Sequence, residues 1–271
     1  MTGALAALPL WFKAVLLGII EGITEFLPVS STGHLILGGH LLGWTDARAE
    51  TFEVFIQLGA ILAILWLYRV RLAAVARHVA SNRADQRFVL SLLIAFIPAA
   101  VVGFLFHHQI KAVLFTPVVV AVALVAGGVV ILLIEHWAPP SRDDDPFAVA
   151  PRTALGVGLA QVLALIPGVS RSGATILGGF SLGLTRRAAT EFSFFLAIPV
   201  MFAATLFDLY SSRDLLTSAD VPILAIGFVV SFISALVVVR SFLQYVSHRS
   251  FAIFAWYRIA FGLLLLWVLR A

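Results

Sequence analysis

The chain has 271 residues, of which 61% are hydrophobic and 12% charged, with a net charge of +4 and no cysteine. A soluble domain needs about a quarter of its residues charged, so an ordinary soluble globular fold is excluded. The absence of cysteine also removes disulfides, thiolate metal sites and cysteine nucleophiles.

The apolar runs are rich in Leu, Ile, Val and Phe without strict alternation, unlike the roughly ten-residue alternating segments of an outer-membrane barrel. They predict an all-α polytopic membrane protein. Met1 to Leu10 lacks a basic n-region and an A-x-A site, so no cleavable signal peptide is expected. The first element, residues 5–43, is split by Glu21, Glu25, Pro28 and the polar run that follows, and is read as a re-entrant helical hairpin. Windows of about 20 apolar residues then give crossings at 52–69, 88–106 and 114–135, with His107 and His108 in a short outer loop. Residues 137–152 interrupt the apolar text with Pro139, Pro140, Asp143, Asp144, Asp145 and Pro146. This is a solvated cytoplasmic linker, and the Asp triplet reads as solubility and helix termination rather than a metal site. A second split region, 153–183, is broken by Pro167, Gly168, Ser170, Arg171, Ser172 and Gly173 and is read as a second hairpin. Crossings at 190–208, 221–239 and 251–269 follow.

Charge orients this arrangement. Four segments (69–87, 136–152, 184–189 and 240–250) hold eleven of the 18 basic residues, which makes them cytoplasmic. About five lie on the opposite side: Lys13, Arg48, Lys111, Arg213 and Arg270. The basic excess therefore records orientation, and no nucleic-acid partner is expected. The first hairpin enters from the outer face and the second from the cytoplasm.

A shift of 140 residues superposes the two halves, pairing Glu21 with Gln161, Val29 with Val169, Ser30 with Ser170, Thr32 with Ser172 and Gly33 with Gly173. The pairing runs on through Ile36/Ile176, Leu37/Leu177, Gly38/Gly178 and Gly39/Gly179, then Phe52/Phe192 and Phe55/Phe195. Residues 1–136 and 153–271 are thus two repeats in a single membrane domain. Each has one hairpin and three crossings, so their topologies are inverted, and the broken helices should meet near the midplane.

Two motifs carry chemistry. In Glu21-Gly-Ile-Thr-Glu25, two carboxylates at i and i+4 share a helix face, in the last turns before Pro28, where the helix dipole disfavours negative charge. They are either snorkelling acids or acids compensated by a divalent cation, a basic side chain or protonation. In Pro28-Val-Ser30-Ser31-Thr32-Gly-His34, a single N-cap explains one or two hydroxyls. Three with a histidine suggest a phosphate cradle at a helix N-terminus, with His34 either a proton acceptor or a satisfied core residue. The second motif is Pro167-Gly-Val-Ser170-Arg171-Ser172-Gly173-Ala-Thr175. Arg171 is permanently charged and costly in a membrane, and its fork suits phosphate. The alternative is a structural salt bridge to Glu21. Elsewhere, Glu53 and Glu191 lie near the starts of corresponding crossings as helix caps or as support behind the site, and Arg258 either pairs with an acid or snorkels.

Glu21-Gly-Ile-Thr-Glu25-Phe-Leu-Pro-Val-Ser-Ser-Thr-Gly-His34 and Pro167-Gly-Val-Ser-Arg171-Ser-Gly-Ala-Thr175 closely resemble the signatures of the undecaprenyl-diphosphate phosphatase, or bacitracin resistance, family. The likeness covers essentially the whole chain, including Thr51-Phe-Glu53-Val-Phe-Ile-Gln57-Leu-Gly and Glu191-Phe-Ser-Phe. It implies hydrolysis of undecaprenyl diphosphate at the outer face of a bacterial inner membrane, recycling the lipid carrier for cell-wall polymers and conferring bacitracin resistance. It also implies a divalent cation, Mg2+ or Ca2+, held by Glu21 and Glu25. On these positions Ser31 and His34 match the nucleophile and acid/base, and Arg171 the phosphate-binding arginine. Ser30, Thr32, Ser170, Ser172, Gly173 and Thr175 would complete the phosphate site, with Glu53, Gln57 and Glu191 behind it. Ser31 is preferred as nucleophile, with His34 or Glu25 taking its proton, and a histidine nucleophile stays open. The expected partners are the polyprenyl diphosphate and membrane lipids, and a homodimer stays open. Phosphatidic acid phosphatases are disfavoured, because their Lys-x6-Arg-Pro segment is absent. Inverted repeats also suit a carrier-lipid flippase, alone or combined with the phosphatase.

Overall fold

The computed structural model describes residues 5–211, 213 and 215–269, and leaves the side chains of His107 and Lys111 undescribed. Residues 1–4, the Lys111 side chain and Arg270, used in the sequence reading, lie outside what is described. Among the described residues the fold is helical, and its one β-type feature is an isolated bridge between Asp143 and Leu184.

Each split region is two short helices around a break. The first has α1 (Leu10–Thr24) and α2 (Ser31–Leu41). Three long or intermediate helices follow, α3 (Ala47–Leu67), α4 (Arg69–His78) and α5 (Arg83–Leu114), then α6 (Pro117–Trp137). The second split region has α7 (Pro151–Val162), a 3-10 turn over Leu163–Leu165, and α8 (Arg171–Ser181). The chain closes with α9 (Arg186–Ser211), α10 (Val221–Val246) and α11 (Ala252–Val268). At a 1.5 Å rise per residue, the 11 residues of α2 or α8 reach only about half of a 30 Å hydrocarbon core.

Among the described residues five helices are long and apolar enough to span a bilayer, and α11, at 17 residues, falls short of that length. The chain is an all-α membrane protein with several crossings. The predicted loop carrying His107 and His108 does not form. The helix α5 runs on through 32 residues to Leu114, and the turn comes at Phe115 and Thr116 instead. Thr116 then caps α6 through Val119 N at 3.3 Å, with Pro117 at the first helical position, where its missing N–H costs nothing.

The two halves share local geometry in the 140-residue register. Ser30 and Ser170 both take a left-handed conformation, φ 71° and 76°. Gly43 and Gly183 do so after the second helix of each pair, φ +60° and +99°. Trp44 N donates to Gly39 O at 2.9 Å, and Leu184 N to Gly179 O at 3.1 Å. The helices also exchange partners between halves: α1 packs on α10, α7 on α5, and α11 along α6.

Glycines allow these close crossings. A Cβ on Gly59 would drive into the Phe228 backbone of α10, and one on Gly158 would meet the Ala95 backbone of α5. Overpacking of this kind costs about 1–3 kcal/mol. Gly59→Val should therefore lower the thermal unfolding midpoint in detergent, while a valine at exposed Leu105 should leave it within error.

Candidate active site

The break after α1 turns at Pro28, which cannot continue a helix, and α2 begins at Ser31. Glu25 immediately follows α1, and its amide still donates to Glu21 O at 2.9 Å. Its carboxylate is consequently aimed at the start of α2. Ser31 Oγ donates to Glu25 Oε2 at 2.5 Å. The other oxygen, Oε1, accepts from Arg171 Nη2 at 2.9 Å. Glu25, Ser31 and Arg171 thus form one cluster drawn from both split helices.

Arg171 opens α8 and is held on several sides. Nη1 donates to Ser193 O at 3.2 Å, Nη2 also lies 3.4 Å from Met201 Sδ, and the guanidinium sits 5.9 Å from the Phe26 ring centroid. Its Nε is buried without a partner. Ser170 caps α8 through Gly173 N at 3.1 Å and lies 3.1 Å from Ser172 Oγ. Ser172 Oγ donates to Leu27 O across the two breaks at 2.8 Å. Thr175 Oγ1 lies 2.6 Å from Ser193 Oγ and donates to Arg171 O at 2.9 Å, so it braces the arginine's own turn.

A cavity of about 540 Å3 opens over the cluster. Its polar end is lined by Glu25, Ser30, Ser31, Thr32, Gln57, Gln161, Ser170 and Arg171. The rest is apolar, formed by Phe96 to Phe104 of α5 and Val200 to Phe207 of α9. A charged pocket continuous with an apolar groove suits an amphiphile with an anionic head.

Other sequence candidates lie elsewhere. His34 does not line this cavity. Its Nδ1 is 2.8 Å from Ser30 O and its Nε2 is 2.6 Å from the Tyr257 hydroxyl, and the ring stacks on Phe261 with centroids 4.4 Å apart. A carbonyl only accepts, so Nδ1 carries the proton and, in the neutral ring, Nε2 receives the tyrosine hydroxyl. Glu191 accepts from Arg187 Nε at 2.9 Å, one turn away on α9. Neither Glu53 nor Glu191 lines the cavity, whereas Gln57 does. The alternative salt bridge between Arg171 and Glu21 is not formed, since the arginine pairs with Glu25.

Glu21 is fully buried, and both carboxylate oxygens lack a partner. No group of three or more His, Cys, Asp or Glu is arranged for a metal among the described residues. Mg2+ and Ca2+ take hard oxygen donors and are often completed by substrate phosphate. Glu21 and Glu25, one helical turn apart and with the Glu21 oxygens unpartnered, fit that donor chemistry, although Glu21 itself does not line the cavity.

Several contributors escaped the sequence reading. Ser193 and Met201 hold Arg171, and Tyr257 holds His34. Two positions had a signal: Gln161 in its place opposite Glu21 in the repeat register, and Ser193 within the Glu191-Phe-Ser-Phe stretch.

The fold and site define a helical membrane protein whose two broken helices join a serine, a carboxylate and an arginine at the end of an apolar cavity. The family model described as bacitracin resistance protein BacA matches residues 14–264, and the chain belongs to that family. The chain is 56% identical over 259 residues to an undecaprenyl-diphosphatase of Aromatoleum aromaticum, covering 96% of this chain and 94% of that one. It is likewise 56% identical to one of Nitrosospira multiformis, covering 94% and 95%. It is 55% identical to undecaprenyl-diphosphatase 2 of Rhodospirillum rubrum, covering 94% and 93%.

Breaking a buried ion pair by removing one partner costs about 3–5 kcal/mol, because the other charge is stranded. Glu25→Ala and Arg171→Met should each lower the unfolding midpoint, and the double variant should lie above the sum of the two losses. Strict additivity would show that the pair is uncoupled.

Proposed function

We propose that the chain hydrolyses undecaprenyl diphosphate to undecaprenyl phosphate and inorganic phosphate. The observation that carries this is the Ser31–Glu25–Arg171 cluster at the polar end of an apolar cavity. The names of relatives more than half identical over nearly the whole chain support it. They give no support to the flippase alternative.

Ser31 is the nucleophile in this reading. Its hydroxyl proton already points at Glu25, which takes it as Ser31 Oγ bonds to the terminal phosphorus and the bridging P–O bond to the lipid phosphate breaks. Water then attacks the phosphoserine phosphorus, the Ser31 Oγ–P bond breaks, Glu25 returns its proton to Ser31 Oγ, and the protons of the water leave with inorganic phosphate. Arg171 turns its fork, including the unpartnered Nε, onto the phosphoryl oxygens, where charge stabilisation supplies most of the catalysis. The free N–H groups at the starts of α2 and α8, with the hydroxyls of Ser30, Thr32 and Ser170, receive the remaining oxygens. His34 shapes the left-handed turn at Ser30 rather than exchanging protons with substrate, since both of its nitrogens are engaged away from the cavity. Glu21 and Glu25 would hold Mg2+ or Ca2+, which when bound offsets phosphate charge.

The two split regions are read as re-entrant hairpins of an inverted repeat, with 137–152 as the cytoplasmic linker. Apart from Phe96, the cavity residues of α5 and α9 lie beyond Pro98 and Pro199, in the halves remote from the basic starts of these helices at Arg83 and Arg186. That supports an opening to the outer face of a bacterial inner membrane.

Purified protein should release phosphate from a C55 diphosphate. Ser31→Ala, Glu25→Ala and Arg171→Ala should each lower turnover at least about 100-fold, the scale of losing a general base or an oxyanion donor. Full turnover in Ser31→Ala would exclude the phosphoserine route. Chelation with EDTA should abolish release, and Mg2+ or Ca2+ should restore it.

A further inference from the structure

Arg258 lies in the middle of α11 and is 1% exposed, the largest fully buried side chain among the described residues. The sequence offered two outcomes for it, an acidic partner or snorkelling to an interface, and neither occurs. Its guanidinium donates to five backbone carbonyls. Nε reaches Leu124 O at 3.3 Å. Nη1 reaches Pro28 O at 3.1 Å and Val169 O at 2.9 Å. Nη2 reaches Ala123 O at 3.2 Å and Gly168 O at 2.8 Å. A guanidinium has five N–H donors, so every one is used and none is left for substrate.

The acceptors are not scattered. Pro28 lies three residues before Ser31, while Gly168 and Val169 lie just before Ser170 and Arg171. Pro28 and Gly168 are equivalents in the 140-residue register. One cation on α11 therefore ties both helix breaks to each other and to Ala123 and Leu124 of α6. Arg258 is absent from the cavity wall. The carbonyls of Pro28, Gly168 and Val169 are held by this guanidinium, and the residues that follow them, Ser30, Ser31, Ser170 and Arg171, line the cavity.

We propose that Arg258 is a positioning residue that sets the distance and orientation between the Ser31 turn and the Arg171 turn. The inference rests on the hydrolase reading for its kinetic consequence, but not for its structural one. Misplacing reacting groups by about 1 Å can cost about 100-fold in rate. A displaced nucleophile lowers kcat, whereas the apolar groove that binds the lipid is left in place, so KM should change little.

The test compares Arg258→Met, Arg258→Lys and Gly127→Ala in detergent. Gly127→Ala presses a methyl group against Nη2 without altering the charge. Arg258→Met should lose about 100-fold in kcat with KM within about 3-fold. Lysine, with three donors for five acceptors, should fall between it and the parent. Guanidinium ion added to Arg258→Gly should raise turnover several-fold. Hydrogen–deuterium exchange of the parent and the variants provides a readout independent of activity. Peptides covering 25–35 and 166–176 should lose protection together, while those from α3 and α10 keep theirs. If Arg258→Met does not fold, Arg258→Lys and Gly127→Ala carry the same comparison. Unchanged kcat and protected turns would overturn the proposal, as would a uniform loss of protection with kcat and KM failing together. Should the parent chain release no phosphate, the hydrolase reading fails, and the exchange data still decide whether Arg258 holds the two turns.

Discussion

A helix that stops inside an apolar environment exposes amides at one end and carbonyls at the other, and lipid can satisfy neither. This chain stops two helices among buried residues, and the arrangement around the breaks answers the same demand. The carbonyls of Pro28, Gly168 and Val169 are met by Arg258, and that of Leu27 by the Ser172 hydroxyl. The Gly173 amide is met by Ser170. Ser31 and Thr32 at the start of α2 and Arg171 at the start of α8 line the cavity. In the proposed function, the same break that would be a liability in a continuous span serves as an anion receptor.

The charges follow the same logic at higher stakes. Glu25 alone would be a stranded anion, and Arg171 alone a stranded cation. Together at 2.9 Å they are compensated, with Ser31 taking the remaining carboxylate oxygen. In the proposed mechanism an arriving phosphate would compete with Glu25 for Arg171 and free the carboxylate to act on Ser31. The resting ion pair keeps two costly groups in place until an anion of the right shape displaces one of them.

The sequence carried much of this because the decisive residues are anomalies against an apolar background. Glu25, Ser31 and Arg171 were visible as polar groups beside Pro28 and Pro167, and the repeat register aligned the two breaks. What was not legible depends on contacts distant in the chain. Arg171 meets Glu25 across 146 residues, whereas the salt bridge expected from sequence was to Glu21, which i,i+4 spacing does not distinguish from Glu25. His34 stood among the hydroxyls in sequence, yet its side chain turns toward Tyr257, 223 residues away. Arg258 had no polar neighbours to announce it, because all of its partners are main-chain carbonyls. The outer loop at His107 and His108 was misplaced for a simpler reason. Hydropathy marks where apolar sequence ends, whereas the helix ends only where Phe115, Thr116 and Pro117 turn the chain.

The position of the cavity follows from a difference between the two halves of the register. The helix α10 lies along α3 over much of its length, with Gly59 against the Phe228 backbone and Gly227 against the Phe52 ring. The corresponding helices of the other pairing, α5 and α9, meet at far fewer points. Phe96 to Phe104 and Val200 to Phe207 therefore face a groove rather than each other. Full symmetry would have closed that groove and buried Arg171 beyond reach of any substrate. In the proposed function the head of an amphiphile would approach the serine because one of two equivalent helix contacts is not made, and its tail would lie where that contact would have been.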